Sequence, residues 1–341
     1  MLFKVIVSPS IFQDPNYGTL IGLLREIEKN CIILVDQENV LSKQFYASLN
    51  QIPIKYRKKV QELYRSIQKF NRVVSSQIQL QDNCCNLLTQ LSIISNNQEP
   101  LLFGQSCSIE FSTILPKSRI VPVIDYAVSK FMENKRDSYT SVPTDRWTKS
   151  KFESLILKPL FETAKRIRIF DRYIGRSMMK ENKPIQFSER YRKNLEWIIE
   201  YFLQESHRKN ESLFEIYTGV NIHDFSEEDI NYLKRVVNDF RKYIQNKFDF
   251  QVDIILKREN IGLDELPHAR YLITDQIGVL IETGFDLFLT DDQMSFYCRN
   301  ELKRNWNPRE DELRIRDVTI ARIDNSNLSG ITSSFNRLPT I

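Results

Sequence analysis

Short runs of consecutive apolar residues alternate, along the first third of the chain, with stretches where apolar residues recur every three or four positions. Residues 2–7 (LFKVIV, apolar but for Lys4) and 31–35 (CIILV) have the length and character of strands, and the pattern between them, near 19–29, is that of a helix. A second helix is predicted within ENVLSKQFYASL. Helical spacing then returns from about 54 to 74, around YRKKVQELYRSIQKF. Strand–helix–strand order favours a small parallel α/β unit. Residues 75–100 are rich in Gln, Asn and Ser and read as a connector or poorly packed helix. The polar, proline-interrupted ENKRDSYTSVPTDR places a domain boundary within 125–150, so that the N-terminal α/β domain covers about 1–140.

The second half carries stronger periodicity. An amphipathic helix over 151–165 leads into a short strand, IRIF (167–170). A helix over 188–204 places Leu195, Ile198, Ile199 and Phe202 on one stripe. A strand over 213–217 is expected to stop at Thr218-Gly219. Ser226 has the character of an N-cap, because Glu227, Glu228 and Asp229 fill the first turn, where a helix dipole favours carboxylates. Strands follow over 251–256, 268–273 and 279–282, the last two flanking a turn at Asp275–Gly278. The resulting β-α-β-α-β-β-β order predicts one sheet with helices on its faces. This second domain covers 150–295, and 296–341 is expected to be a C-terminal tail.

Composition narrows the function classes. The chain has 341 residues, 41% hydrophobic and 27% charged, which suits two globular α/β domains. No apolar stretch approaches the roughly 20 residues of a membrane-spanning helix, and no secretory signal is evident. Five cysteines, none in a CxxC pair, argue against a disulfide framework or a zinc ribbon and favour a cytoplasmic setting. Nine glycines form no phosphate-binding loop, and no cofactor is implied. A net charge of +4 permits nucleic acid or anionic lipid as a partner without requiring either.

The segment LPHARYLITDQIGVLIETGFDLF concentrates the chemistry. His268 and Arg270, two apart on a strand, would share a face, and Asp275 in the following turn could orient them. A guanidinium can hold the non-bridging oxygens of a phosphodiester while an imidazole attacks phosphorus or moves a proton. Polar residues expected at strand ends (Arg172 and Arg176 after IRIF, Thr218 after LFEIY, Lys257 after DIIL) would form a phosphate-binding rim. In the first domain Asp36, Glu38, Asp82, Glu110 and Asp125 are the acidic candidates for a metal site.

His-x-Arg-x-x-x-x-Asp resembles the HxKxxxxD signature of the phospholipase D superfamily, with Arg270 in place of Lys. With IRIFDRYIGRS upstream and Gly284-Phe285-Asp286-Leu287-Phe288 downstream, it looks most like the phospholipase-D-like C-terminal domain of microtubule-interacting-and-trafficking proteins. The resemblance covers about 140 residues. It implies a mixed sheet flanked by helices and a metal-independent phosphodiesterase or nuclease using two such histidines. His207-Arg208-Lys209 supplies a second His-x-Lys, but position 214 is Phe where Asp is expected. A single motif implies a homodimer with two His268 side chains facing each other, and a role in prokaryotic defence fits by analogy. The trafficking relatives imply the alternative of a silent module holding nucleic acid, nucleotide or anionic lipid. CIILVDQENVLSKQFY in the first domain faintly resembles a PIN-type nuclease motif. The first-strand acid of those enzymes is replaced by Ser8-Pro9-Ser10, which leaves that domain as a scaffold or a surface for a protein partner.

Overall fold

The computed structural model describes residues 2–13, 16–75, 101–104, 120–129, 147–180, 183–184, 186–221, 226–260, 265–281, 284–287, 313, 315, 318–322 and 326–341. The chain is mixed α/β and divides into two compact units, Met1–Tyr139 and Thr140–Ile341. Among the described residues no helix is long and apolar enough to cross a membrane.

The first unit is built on a parallel sheet of β1 (Phe3–Val7), β2 (Cys31–Val35), β3 (Val73–Ser75), β4 (Leu101–Phe103) and β5 (Ile120–Pro122), in the order β3-β2-β1-β4-β5. Every residue of β2 is buried, as a strand covered on both faces must be. The helices α1 (Tyr17–Asn30), α2 (Val40–Leu49) and α3 (Ile54–Lys69) supply Leu20, Leu23, Leu41, Phe45, Val60 and Ile67 to the core. The helical pattern expected to run to residue 74 stops at Lys69. Asn71 takes φ 51, the left-handed conformation that Asn tolerates, and turns the chain into β3.

The strand order reverses between β1 and β4, where open α/β sheets leave a crevice at their carboxyl ends. At that point the turn after β1 packs against the end of β4. Ser10 Oγ accepts the Gly104 N–H at 3.1 Å and bonds Ser8 Oγ at 2.8 Å. A β-carbon on Gly104 would lie 2.4 Å from the Ser10 carbonyl oxygen. Gly104→Ala must push β4 off the β1 turn, and we expect the unit to lose ~1–3 kcal/mol. Faster amide exchange in β1 and β4, by about tenfold per 1.4 kcal/mol, would register it, and unchanged exchange would refute the contact's role.

The second unit holds a six-stranded mixed sheet: β6 (Arg166–Phe170), β9 (Leu213–Asn221), β10 (Asp253–Glu259), β11 (Tyr271–Thr274), β12 (Ile277–Ile281) and β13 (Val318–Arg322), ordered β10-β9-β6-β11-β12-β13. A small ribbon, β7 (Met179–Lys180) with β8 (Lys183–Pro184), stands outside it. Strands β6, β9 and β10 run parallel, while β11 is antiparallel to β6. The predicted helix before β6 is two pieces, α4 (Lys149–Phe152) and α5 (Lys158–Phe161), joined by a π-helical stretch over Glu153–Leu157. After β6 comes the short α6 (Arg172–Arg176), where only a loop was expected.

The remaining connections are α7 (Glu189–Glu205) and α8 (Glu227–Phe248). The expected N-cap forms a full capping box: Ser226 Oγ accepts the Asp229 N–H, and the Asp229 carboxylate accepts from Ser226 N.

The segment expected to be a tail belongs to this fold. It contributes β13 and α9 (Ser326–Arg337), whose Ile331 and Phe335, with Leu338, complete a core with Phe170, Tyr271 and Ile273. Arg258 N–H then donates to the Pro339 carbonyl, and Ile341 N–H to the Leu256 carbonyl, closing the exposed edge of β10.

A candidate phosphate-directed site at the end of β6

Antiparallel pairing decides which residues meet. Tyr271 lies opposite Phe170 and Thr274 opposite Ile167, so the carboxyl end of β6 and the amino end of β11 lie together. Asp171, Arg172 and Tyr173 follow β6, and His268, Ala269 and Arg270 precede β11. The expected strand over 268–273 begins only at Tyr271, so His268 and Arg270 stand in the extended approach to it.

Tyr173 is the hub of this cluster. Its hydroxyl hydrogen-bonds His268 Nδ1 at 2.8 Å. The guanidinium carbon of Arg270 lies 4.6 Å from the Tyr173 ring centroid, Arg176 at 5.7 Å and Arg172 at 5.9 Å. His268 is exposed, whereas Tyr173 and Arg270 are half-buried. Behind them Asp171 is fully buried, accepting N–H bonds from Tyr173 and Phe285, each at 2.9 Å. Burial pushes the Asp171 carboxyl up to about 6; the two backbone N–H donors and Arg270 pull it down, and Asp286 pushes it up.

The downstream Gly-Phe-Asp segment wraps this carboxylate. Gly284 has φ +77, and a β-carbon there would lie 2.7 Å from Asp171 Oδ2 and 3.0 Å from Arg270 Nε. Asp286 pairs with Arg190 of α7 at 2.6 Å. The three stretches that carried the sequence resemblance therefore converge at one place.

Asp275 does not join them. It sits in the turn after β11, about 17 Å along the chain from Arg270 at the rise of a strand. There its Oδ1 accepts the Lys165 N–H at 3.1 Å and the Arg166 N–H at 3.4 Å, tying the β11–β12 turn to the start of β6. The carboxylate beside Arg270 is Asp171 instead, and the one that His268 acts on is Glu259.

The expected rim is also revised. Arg172 has no exposed surface, and its Nη2 bonds Glu265 at 2.8 Å and Glu259 at 3.1 Å. Arg176 Nε bonds Glu259 at 3.0 Å. Thr218 is buried inside β9, where its hydroxyl accepts the Gly175 N–H and donates to the Asp171 carbonyl. Lys257 is inside β10, with Nζ bonded to the Leu338 carbonyl and Thr340 Oγ1, and burial lowers its pKa. Thr218 and Lys257 brace the fold, and Arg172 and Arg176 are cations already held by carboxylates. His207 is exposed at the turn after α7, near the amino ends of β6 and β9, and Phe214 is in the core.

In the first unit both oxygens of Asp36 accept backbone N–H bonds from α2, Val40 at 2.7 Å and Leu41 at 2.8 Å, so Asp36 acts as a helix cap. Glu38 and Asp125 are exposed, and Asp82, Glu110, Cys84, Cys85, Cys107 and Cys298 lie outside the described residues. No group of three or more His, Cys, Asp or Glu among the described residues is placed to hold a metal ion.

Sequence reasoning passed over Asp171 and Tyr173 as parts of the site. Both stand in IRIFDRYIGRS, at the polar end of an expected strand, which is the available signal. No protein-family model matches the chain, and no curated protein is significantly similar to it.

Proposed function

We propose that the second unit binds phosphodiesters at His268, Arg270 and Tyr173. The observation that carries this reading is the meeting of an exposed imidazole and a guanidinium at one tyrosine, at a sheet's strand ends. Arg270 suits the non-bridging oxygens and His268 a bridging oxygen or a proton on it. Phosphate contacts of this kind grip without reading sequence, so nucleic acid of either sort is the expected polymer.

The reading is tested with a fluorescent single-stranded oligonucleotide in the full chain. Binding should weaken as salt rises. Arg270→Glu should weaken it by about 100-fold, the loss of charge-assisted contacts. Binding that is indifferent to both salt and Arg270→Glu would sink the reading. Vesicles of anionic lipid serve as a second arm, and preference for them over the oligonucleotide would move the ligand to a headgroup.

A second reading is hydrolysis by a homodimer, in which His268 attacks phosphorus and the partner copy's histidine protonates the leaving oxygen. The exposure of His268 favours it, because only a surface histidine can meet its counterpart across a twofold axis. It requires dimers in solution and chelator-resistant turnover that His268→Ala abolishes; turnover by a monomer rejects it.

A further inference from the structure

The pair formed by Tyr173 and His268 contains more chemistry than binding requires. Nucleophilic catalysis needs a nucleophile within hydrogen-bond reach of a base, with cationic groups beside the reacting phosphate. The Tyr173 hydroxyl lies 2.8 Å from His268 Nδ1, and Arg270 stacks on the same phenol ring. The hydroxyl is on a half-buried side chain whose backbone N–H is held by the buried Asp171. No second histidine and no second copy of the chain is needed to complete this set.

From the phosphodiester-binding reading, on which this rests, we propose that Tyr173 is the nucleophile of a phosphodiester-cleaving reaction and forms a phosphotyrosyl intermediate. In the first step the phenolic oxygen attacks phosphorus as its proton passes to His268 Nδ1. A Tyr173 O–P bond forms, and the opposite P–O bond breaks. The leaving oxygen departs with that bond's electron pair and is protonated by water. Arg270 holds the non-bridging oxygens throughout. In the second step water attacks phosphorus, the O–P bond to Tyr173 breaks, and the imidazolium returns its proton to the phenolate. The attacking water loses a proton to solvent, so the sum is diester plus water giving monoester plus alcohol.

Tyr173→Phe separates this role from the structural one. The variant keeps the ring against which Arg270 packs and loses only the hydroxyl. Turnover of bis(4-nitrophenyl) phosphate by the full chain should fall roughly 10³-fold or more, as for other lost nucleophiles, and the fall should lie in kcat rather than in KM. The decisive probe is 4-nitrophenyl methylphosphonate, which should give a burst of one equivalent of nitrophenol before steady turnover and, on acid quench within the burst, a methylphosphonyl group on the peptide containing Tyr173. An adduct on His268, or nitrophenol release from the diester that survives in Tyr173→Phe, overturns the proposal. Oligonucleotide binding without any turnover also overturns it and leaves the binding reading standing. A chain that binds no oligonucleotide removes that reading and this one together.

Discussion

Replacing Glu259 by Ala is expected to cost the second unit ~3–5 kcal/mol, the usual penalty for breaking a buried ion pair from one side. Glu259 is 1% exposed and serves three partners: Arg172 Nη2 at 3.1 Å, Arg176 Nε at 3.0 Å and the Leu266 N–H at 2.8 Å. Burial raises its pKa, while the Leu266 N–H and Arg172 oppose that shift. Removing the carboxylate leaves Arg172, which has no exposed surface, dependent on Glu265 alone among these acids. Gly219 is part of the same arrangement, because a β-carbon there would stand 2.5 Å from Glu259 Oε2. All three tryptophans, Trp147, Trp197 and Trp306, lie beyond Tyr139, so tryptophan fluorescence during urea unfolding reports this unit alone. The paired variant Arg172→Met with Glu259→Leu should recover much of the loss, since an apolar pair removes both desolvation penalties. A loss below about 1 kcal/mol in Glu259→Ala would show that the pair is not needed.

The helices were the legible part of the sequence. Apolar residues at 3.6-residue spacing placed α7 and α8 to within a residue or a turn, and Ser226 marked its cap correctly. Strand ends were harder to read, because a polar residue ends a strand only if its polar group needs water. Thr218 and Lys257 continue β9 and β10 because their side chains find partners inside the fold. The C-terminal segment was misread as a tail although Ile331, Phe335 and Leu338 stand at helical spacing. Such a short stripe acquires meaning only when a sheet face is present to receive it.

The site was half legible for a related reason. His268 and Arg270 were found from their spacing in sequence, and spacing along one strand also pointed to Asp275. A strand carries its two ends apart, so residues five positions beyond Arg270 leave the site. The groups that do meet Arg270 come through the register of β6 with β11, which one sequence does not encode in any local pattern. Asp171, Tyr173 and Gly284 are neighbours by topology.

That topology makes Asp171 the group through which pH should act. Its carboxyl is raised from 3.8 to about 6 by burial, and the groups around it are the Tyr173 and Phe285 amides, Arg270, Asp286 and Tyr191. The sign follows from proton uptake. Between pH 4 and 6 the folded chain holds this proton more firmly than the unfolded chain, so stability falls as pH rises through that window. Above pH 6 the loss is complete, at about 3 kcal/mol for a shift of this size. Asp171→Asn cannot titrate, so the stability of the native chain minus that of the variant should decline by that amount between pH 4 and 7. A difference that stays flat across the range would refute the assignment. The same proton should matter to binding. Three guanidiniums around Tyr173 face the carboxylates of Asp171, Glu259 and Glu265, and protonating Asp171 leaves the cluster one charge more positive. Dimethyl phosphate, whose own charge is constant over this range, should bind more weakly as pH rises through 6. Asp171→Asn should remove that part of the pH dependence, and any remainder belongs to other groups, His268 foremost among them.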